Sequence, residues 1–237
     1  MARVFKLALS AGHWRGSPKG CPEYLDKEKT PEWVLNARIC EKLQSLLSEY
    51  EGVEILRLDD RSGEKNISLD ARSAAANAWG ADLYLAVHHN GGVKGGKGGG
   101  IVAYVYTKPS EESLEWQKAL YAAAIEATGL RGNRSNPVPK KNLHEVREPK
   151  CPAVLMECGF MDSATDCPII LTEDFADKMA RAFCDVIVAK SGARKKARSV
   201  TLYRVQVGAF EKRENAKALL AQLNEAGFEG YIKADTE

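Results

Sequence analysis

Two histidines and two carboxylates sit where a hydrolytic metal site would need them. Ser10-Ala11-Gly12-His13 closes one short apolar run, Ala86-Val87-His88-His89-Asn90 closes a second, and Glu157 ends a third within PAVLMECGF (152–160). Glu32 lies in the first turn of the helix expected after the loop that follows His13. In an open α/β sheet, ligands gather at the carboxyl ends of the strands. Two imidazoles and one carboxylate can hold a catalytic zinc ion with a position left open for water. Zinc brings the pKa of a bound water to about 7 and polarises a carbonyl. A spare carboxylate would take the water's proton and pass it to a leaving amine, so the chemistry is amide hydrolysis. Each residue also has a plain structural reading. Glu32 suits a helix dipole, Glu157 could be a paired buried acid, and Asn90 could be a turn residue.

The neighbours His88 and His89 cannot serve one site equally, because successive strand residues point to opposite faces. His88 continues the face of Tyr84 and Ala86, opposite Leu83, Leu85 and Val87. His89 points the other way or begins the turn, and is expected to do no more than line the cleft.

The elements that must hold these residues alternate. Apolar runs at 4–9, 53–58, 82–89, 101–107 and 152–160 predict strands, and the 3.6-residue period at 30–50, 69–81, 113–128 and 173–190 predicts helices. Thr30 is the expected N-cap of the first helix, with Pro31 at its first position. The glycine cluster 91–100 reads as a loop and 131–150 as a long irregular stretch. Such alternation predicts an α/β fold, a twisted, mostly parallel sheet with helices on both faces.

The chain has 237 residues, 44% of them apolar and 28% charged, which is ordinary for a globular protein. A net charge of +2 gives no global pull toward nucleic acid. No run approaches the ~20 apolar residues of a membrane span. The N-terminal apolar run is short and leads straight into Gly12-His13, so it reads as a first strand rather than a signal peptide. The six cysteines show no CxxC spacing and are expected to be reduced.

The ordered motifs AGHWRG (11–16), Glu32 four residues before Asn36, LDARSAAANAWGADLYLAVHHN (69–90) and PAVLMECGFMDS (152–163) resemble the zinc-dependent N-acetylmuramoyl-L-alanine amidases known as amidase type 3. The resemblance covers residues 1–190. It implies cleavage of the bond between N-acetylmuramic acid and L-alanine in peptidoglycan. It also implies one Zn2+ held by His13, Glu32 and His88, with Glu157 as general base, while Leu69, Arg72, Ala76 and Asn77 match a signature read as packing around the site. Ser10 or Ala11 stands where the family often has an acid, and Trp14 where glycine is common. Trp14 is a candidate wall against a sugar or stem peptide, and Asn90 a candidate substrate contact. His144 and Arg147 are candidates for substrate carboxylates or the tetrahedral oxyanion, with Glu145 a fallback base. Residues 91–151 leave no room for the inhibitory helix of some exported members, so an open cleft is expected. Two rival readings are a non-catalytic peptidoglycan binder on the same scaffold and a cysteine amidase using Cys158.

KSGARKKARS (190–199) carries five Lys or Arg residues and no acid, and residues 191–199 read as a basic linker. Beyond it, YRVQVGAFEKRENAKALLAQLNEAGFEGYI (203–232) resembles one half of a SPOR domain, a glycan-strand-binding module, so 200–237 is expected to form a βαβ half-domain. Such a unit would complete its sheet by dimerising with a second copy or by docking on the catalytic domain. Without a signal peptide, the expected setting is synthesis in the cytoplasm and action on the bacterial wall. Arrival there would follow holin-type release, as for a phage endolysin, or another non-Sec route.

Overall fold

The computed structural model describes residues 3–197 and 203–234. Its elements run β1 (Phe5–Ala11), α1 (Glu32–Leu47), β2 (Tyr50–Glu51), β3 (Val53–Arg57), α2 (Leu69–Trp79), β4 (Leu83–Asn90), β5 (Ile101–Tyr104), α3 (Glu111–Thr128), α4 (His144–Arg147), β6 (Ala153–Phe160), α5 (Cys167–Ile170), α6 (Glu173–Ser191), β7 (Arg194–Lys195) and α7 (Arg213–Glu225). Two compact units divide after Lys196.

In the first unit the main sheet has the order β3-β1-β4-β6-β5. The first four strands are parallel and β5 runs antiparallel against β6. The fold is thus α/β with a mostly parallel sheet. The two faces are covered unequally. Leu7, Leu9 and Ala11 of β1, Leu83, Leu85 and Val87 of β4, and Val154, Met156 and Cys158 of β6 join α1, α3 and α6 in the larger core. The alternate residues Ala8, Tyr84, Ala86, Ala153 and Leu155 form a smaller cluster with buried Ala76 of α2, Val146 of α4 and Leu58, edged by partly buried residues such as Tyr104 and Leu143. Period-two alternation therefore sorts the strands' side chains between a thick layer and a thin one. The strand-end residues that follow on the thin side are Ser10, His88 and Glu157.

Local chemistry sets the helix ends. Ser68, Ser110 and Thr172 accept hydrogen bonds from the first-turn amides of α2, α3 and α6. The start of α1 differs from expectation. Pro31 is the N-cap, and Thr30 instead offers its carbonyl to the Cys21 amide. Glu32 thereby becomes the first helical residue.

Three further differences emerge. The stretch 131–150 holds α4, a helix of only four residues. The basic stretch 191–199 begins inside the first unit: α6 extends to Ser191, and Arg194–Lys195 pair antiparallel with Tyr50–Glu51. Its last two residues lie outside the described part. In the second unit, the expected βαβ arrangement is represented among the described residues by α7 alone, with no strand on either side. A strand needs a ladder partner for its amides and carbonyls. Tyr203, Val205 and Val207, at alternate positions in the sequence, are exposed, as are Phe228 and Tyr231.

Candidate active site

His13 follows the end of β1 and adopts a left-handed backbone, with φ of 64°. Holding a non-glycine residue there costs on the order of 1 kcal/mol. The cost is met by directed hydrogen bonds. The fully buried Arg72 of α2 donates to the carbonyls of Ala11 at 2.7 Å, His13 at 2.8 Å and Ile67 at 3.0 Å. Asn36 of α1 donates to the Gly12 carbonyl at 3.0 Å. Gly12 is required for a second reason: a Cβ there would lie 2.1 Å from Cε1 of His88. The Gly-His pair thus gives space to one imidazole while aiming the other.

Glu32 reaches over the carboxyl edge of the sheet from the start of α1 and is 2% exposed. Its Oε2 is 3.1 Å from His13 Nε2, and its Oε1 is 3.1 Å from His88 Nδ1. The His89 amide and the Asn36 side chain also donate to Oε1. Burial alone would push this carboxyl up, but the hydrogen bonds from His13 and His88 outweigh it and hold Glu32 below the usual carboxylate range. Candidate ligand atoms of His13, Glu32 and His88 all lie within 4.8 Å of one another. Glu157 is the register partner of His88. Its Oε2 is buried with no hydrogen-bond partner. Burial pushes its carboxyl up to about 7, against the pull of a charged His88 and with the Glu32 charge adding to the rise.

His13, His88, Glu157, Glu145 and His144 line one cavity of about 420 Å3. His144, at the start of α4, is 3.1 Å from Ser73 Oγ through its Nε2. A larger cavity of about 610 Å3 lies elsewhere, between Phe5, Trp116 and Lys190, and holds none of these five. Helix α3 packs with the thick layer, away from the site, and the four-residue α4 is the one other helix between β4 and β6 among the described residues.

Other candidates are placed differently. His89 faces the thick layer, its Nδ1 2.8 Å from Asn36 Oδ1 and its ring near Phe175. Burial lowers its pKa to about 3, so it stands neutral behind the site rather than lining the cleft. Arg147 pairs with Glu148 and Asn142 and does not reach the cavity lining. Asn90 accepts the Gly91 amide and pairs with Tyr104, while half-buried Trp14 covers Gly16. Asn77 clasps the loop after α4 through the Glu148 carbonyl and the Lys150 amide. Cys158 projects into the thick core, and burial raises its thiol pKa well above the ordinary value. A thiol so placed is not available as a nucleophile. Sequence reasoning underrated Glu145, which is 3% exposed and 2.9 Å from His88 Nε2 through its Oε2.

The N-acetylmuramoyl-L-alanine amidase family profile matches residues 7–189 of the chain. The chain belongs to that family. A SPOR domain profile matches residues 173–237, overlapping α6 of the amidase fold. The sporulation-specific N-acetylmuramoyl-L-alanine amidase of Bacillus subtilis (strain 168) is 32% identical over 232 residues, covering 97% of this chain and 84% of that protein. The endolysin of Bacillus phage SPP1 is 31% identical over 191 residues, 80% of this chain and 67% of that one. Among solved structures, an N-acetylmuramoyl-L-alanine amidase from Clostridium difficile 630 superposes with a TM-score of 0.69 at 22% identity, covering 79% of this chain and 97% of that one. The catalytic domain of CwlV from Bacillus (Paenibacillus) polymyxa var. colistinus gives 0.67 at 22% identity, covering 81% and 100%. The family assigns the amidase domain its reaction class, hydrolysis of an amide in peptidoglycan.

Proposed function

We propose that the chain is a zinc-dependent amidase that cuts between N-acetylmuramic acid and the L-alanine of the stem peptide, with Glu157 as general base. The observation that carries this reading is the cluster of His13, Glu32 and His88, whose two histidines share a cavity with Glu157, a carboxyl with an unpartnered Oε2. Two imidazoles and a carboxylate with converging donor atoms suit zinc. A bound zinc ion would polarise the scissile carbonyl and lower the pKa of water at the site. His13, Glu32 and His88 would hold it.

The chain's own groups do the rest. Water attacks the carbonyl carbon of the lactyl–alanine amide, and Glu157 takes its proton. The same carboxyl then delivers that proton to the alanine nitrogen as the C–N bond breaks. A carboxyl poised near neutrality suits both transfers. His144 borders the cavity and is assigned to the substrate carboxylates or the oxyanion. Trp14 and Asn90, beside the strand ends, are assigned to the flanking sugar and peptide.

The site of action is the cell wall, with peptidoglycan as the partner. No helix among the described residues is long and apolar enough to cross a membrane. The second unit is assigned to glycan strands, and its exposed Tyr203, Val205 and Val207 to pairing with a second copy of the chain. Replacing Glu157 by Gln tests the central assignment. Zinc bound one-to-one with hydrolysis lost supports it; hydrolysis at the wild-type rate refutes it. A wild-type chain that binds walls and releases nothing would instead be a binding protein.

A further inference from the structure

His88 lies between two buried carboxylates, and only one belongs to the metal cluster. Its Nδ1 faces Glu32 at 3.1 Å, and its Nε2 faces Glu145 at 2.9 Å. Glu32 joins His13 and His88 in the converging set, whereas Glu145 does not. Glu145 reaches the ring from α4, inserted below the strand ends from the thin side of the sheet.

The remaining contacts fix what Glu145 can do. Its Oε1 accepts the Ser10 hydroxyl at 2.6 Å and the Tyr84 hydroxyl at 2.9 Å. Ser10 accepts Arg72 Nη1 at 2.9 Å, which leaves its own proton for Glu145. Both neighbours at Oε1 are therefore donors, and the group works as an acceptor-only carboxylate. Both oxygens are engaged by protein partners, in contrast to Oε2 of Glu157, which has none. An acceptor-only partner at Nε2 requires that nitrogen to carry the proton. Nδ1, which faces Glu32 and donates to it in the metal-free chain, is then the nitrogen whose proton a metal held by His13, Glu32 and His88 would replace, because Nε2 keeps its own for Glu145.

We infer that Glu145 is a positioning residue that accepts the Nε2 proton of His88 and so presents Nδ1 as the metal-binding atom, with Ser10, Tyr84 and Arg72 holding the carboxylate in place. Outer carboxylates of this kind fix a ligand's tautomer and ring orientation, and losing one typically costs about 10–100-fold in metal affinity or activity. The inference rests on the zinc reading above and deepens it. It also separates two roles that the carboxylates Glu145 and Glu157 could exchange on paper.

Zinc competition against a chromophoric chelator, on the full chain, provides the test. Glu145→Gln should weaken zinc binding about 10–100-fold, and Glu145→Asp should recover part of the loss. The visible spectrum of the cobalt-loaded Gln variant should differ from wild type. At saturating zinc, Glu145→Gln should keep wall hydrolysis within about tenfold of wild type. Nitrogen-15 spectra of the zinc-loaded wild type need no variant, and with four histidines the rings are separable. They should show His88 protonated at Nε2 and bare at Nδ1. Unchanged zinc affinity in Glu145→Gln overturns the inference. So does a His88 protonated at Nδ1, or hydrolysis abolished despite saturating zinc, which would make Glu145 the base. Failure of the wild type itself to bind zinc would bring down the zinc reading, and this inference with it.

Discussion

His88 and Glu157 are register partners on adjacent parallel strands, and both project from the thinly covered face of the sheet. One offers an imidazole fixed from two sides. The other holds an oxygen sealed from water and bonded to nothing. A sheet register thus sets the spacing between the His13–Glu32–His88 cluster and the Glu157 carboxyl.

This arrangement has a cost in stability. With its pKa raised from 4.5 to about 7, the folded chain holds a proton on Glu157 that the unfolded chain gives up earlier. Stability from this group is full below about pH 4.5 and is lost as the pH rises through 7. In the metal-free protein, Glu157→Gln should therefore raise stability at pH 8 by about 3 kcal/mol, or several degrees in Tm. The same substitution should reduce hydrolysis by at least about 100-fold. Thermal melts at pH 5 and pH 8 check the sign, since the gain should shrink at the lower pH.

Gly12→Ala should disturb the site without replacing a ligand. The new methyl would overlap the His88 ring, so we expect a destabilisation of about 1–3 kcal/mol and weaker zinc binding. Gly91→Ala, whose Cβ would meet only Asp162 at 3.8 Å, is the matched control. Denaturant melts and zinc titration of both variants provide the comparison.

A chelator should abolish hydrolysis and added zinc should restore it, whereas thiol alkylation of the native protein should leave it intact. Cys158 is buried in the core and held protonated. Activity that resists chelation and falls with alkylation would reinstate the cysteine chemistry.

The exposed Tyr203, Val205 and Val207 should pair the chain with a second copy. Sedimentation of the full chain should report a dimer, and truncation after Lys196 a monomer. A monomeric full chain at high concentration contradicts that assignment.

Much of this architecture is legible in the residues, for reasons that also explain the gaps. The alternation in Leu83–Asn90 separates His88 from His89 by sequence alone, because successive strand residues point to opposite faces. Glu145 is harder to read. Its helix has four residues, too few for a period to show, and the surrounding stretch resembles an irregular loop. The burial of Glu145 comes from partners 135 and 57 residues away, Ser10 and His88, which no local pattern announces. Thr30 is a favourable cap by type, yet its carbonyl serves the Cys21 amide and Pro31 takes the N-cap position. Arg194–Lys195 read as linker from charge alone, and only the free edge of Tyr50–Glu51 gives them a ladder.

Mass spectrometry of the fragments released from purified walls, with and without chelator, tests the central claim most directly. Stem peptides with a new free N-terminal alanine are expected, and they should disappear when metal is withdrawn. New reducing sugar ends, or release of the same peptides in the presence of chelator, would contradict it.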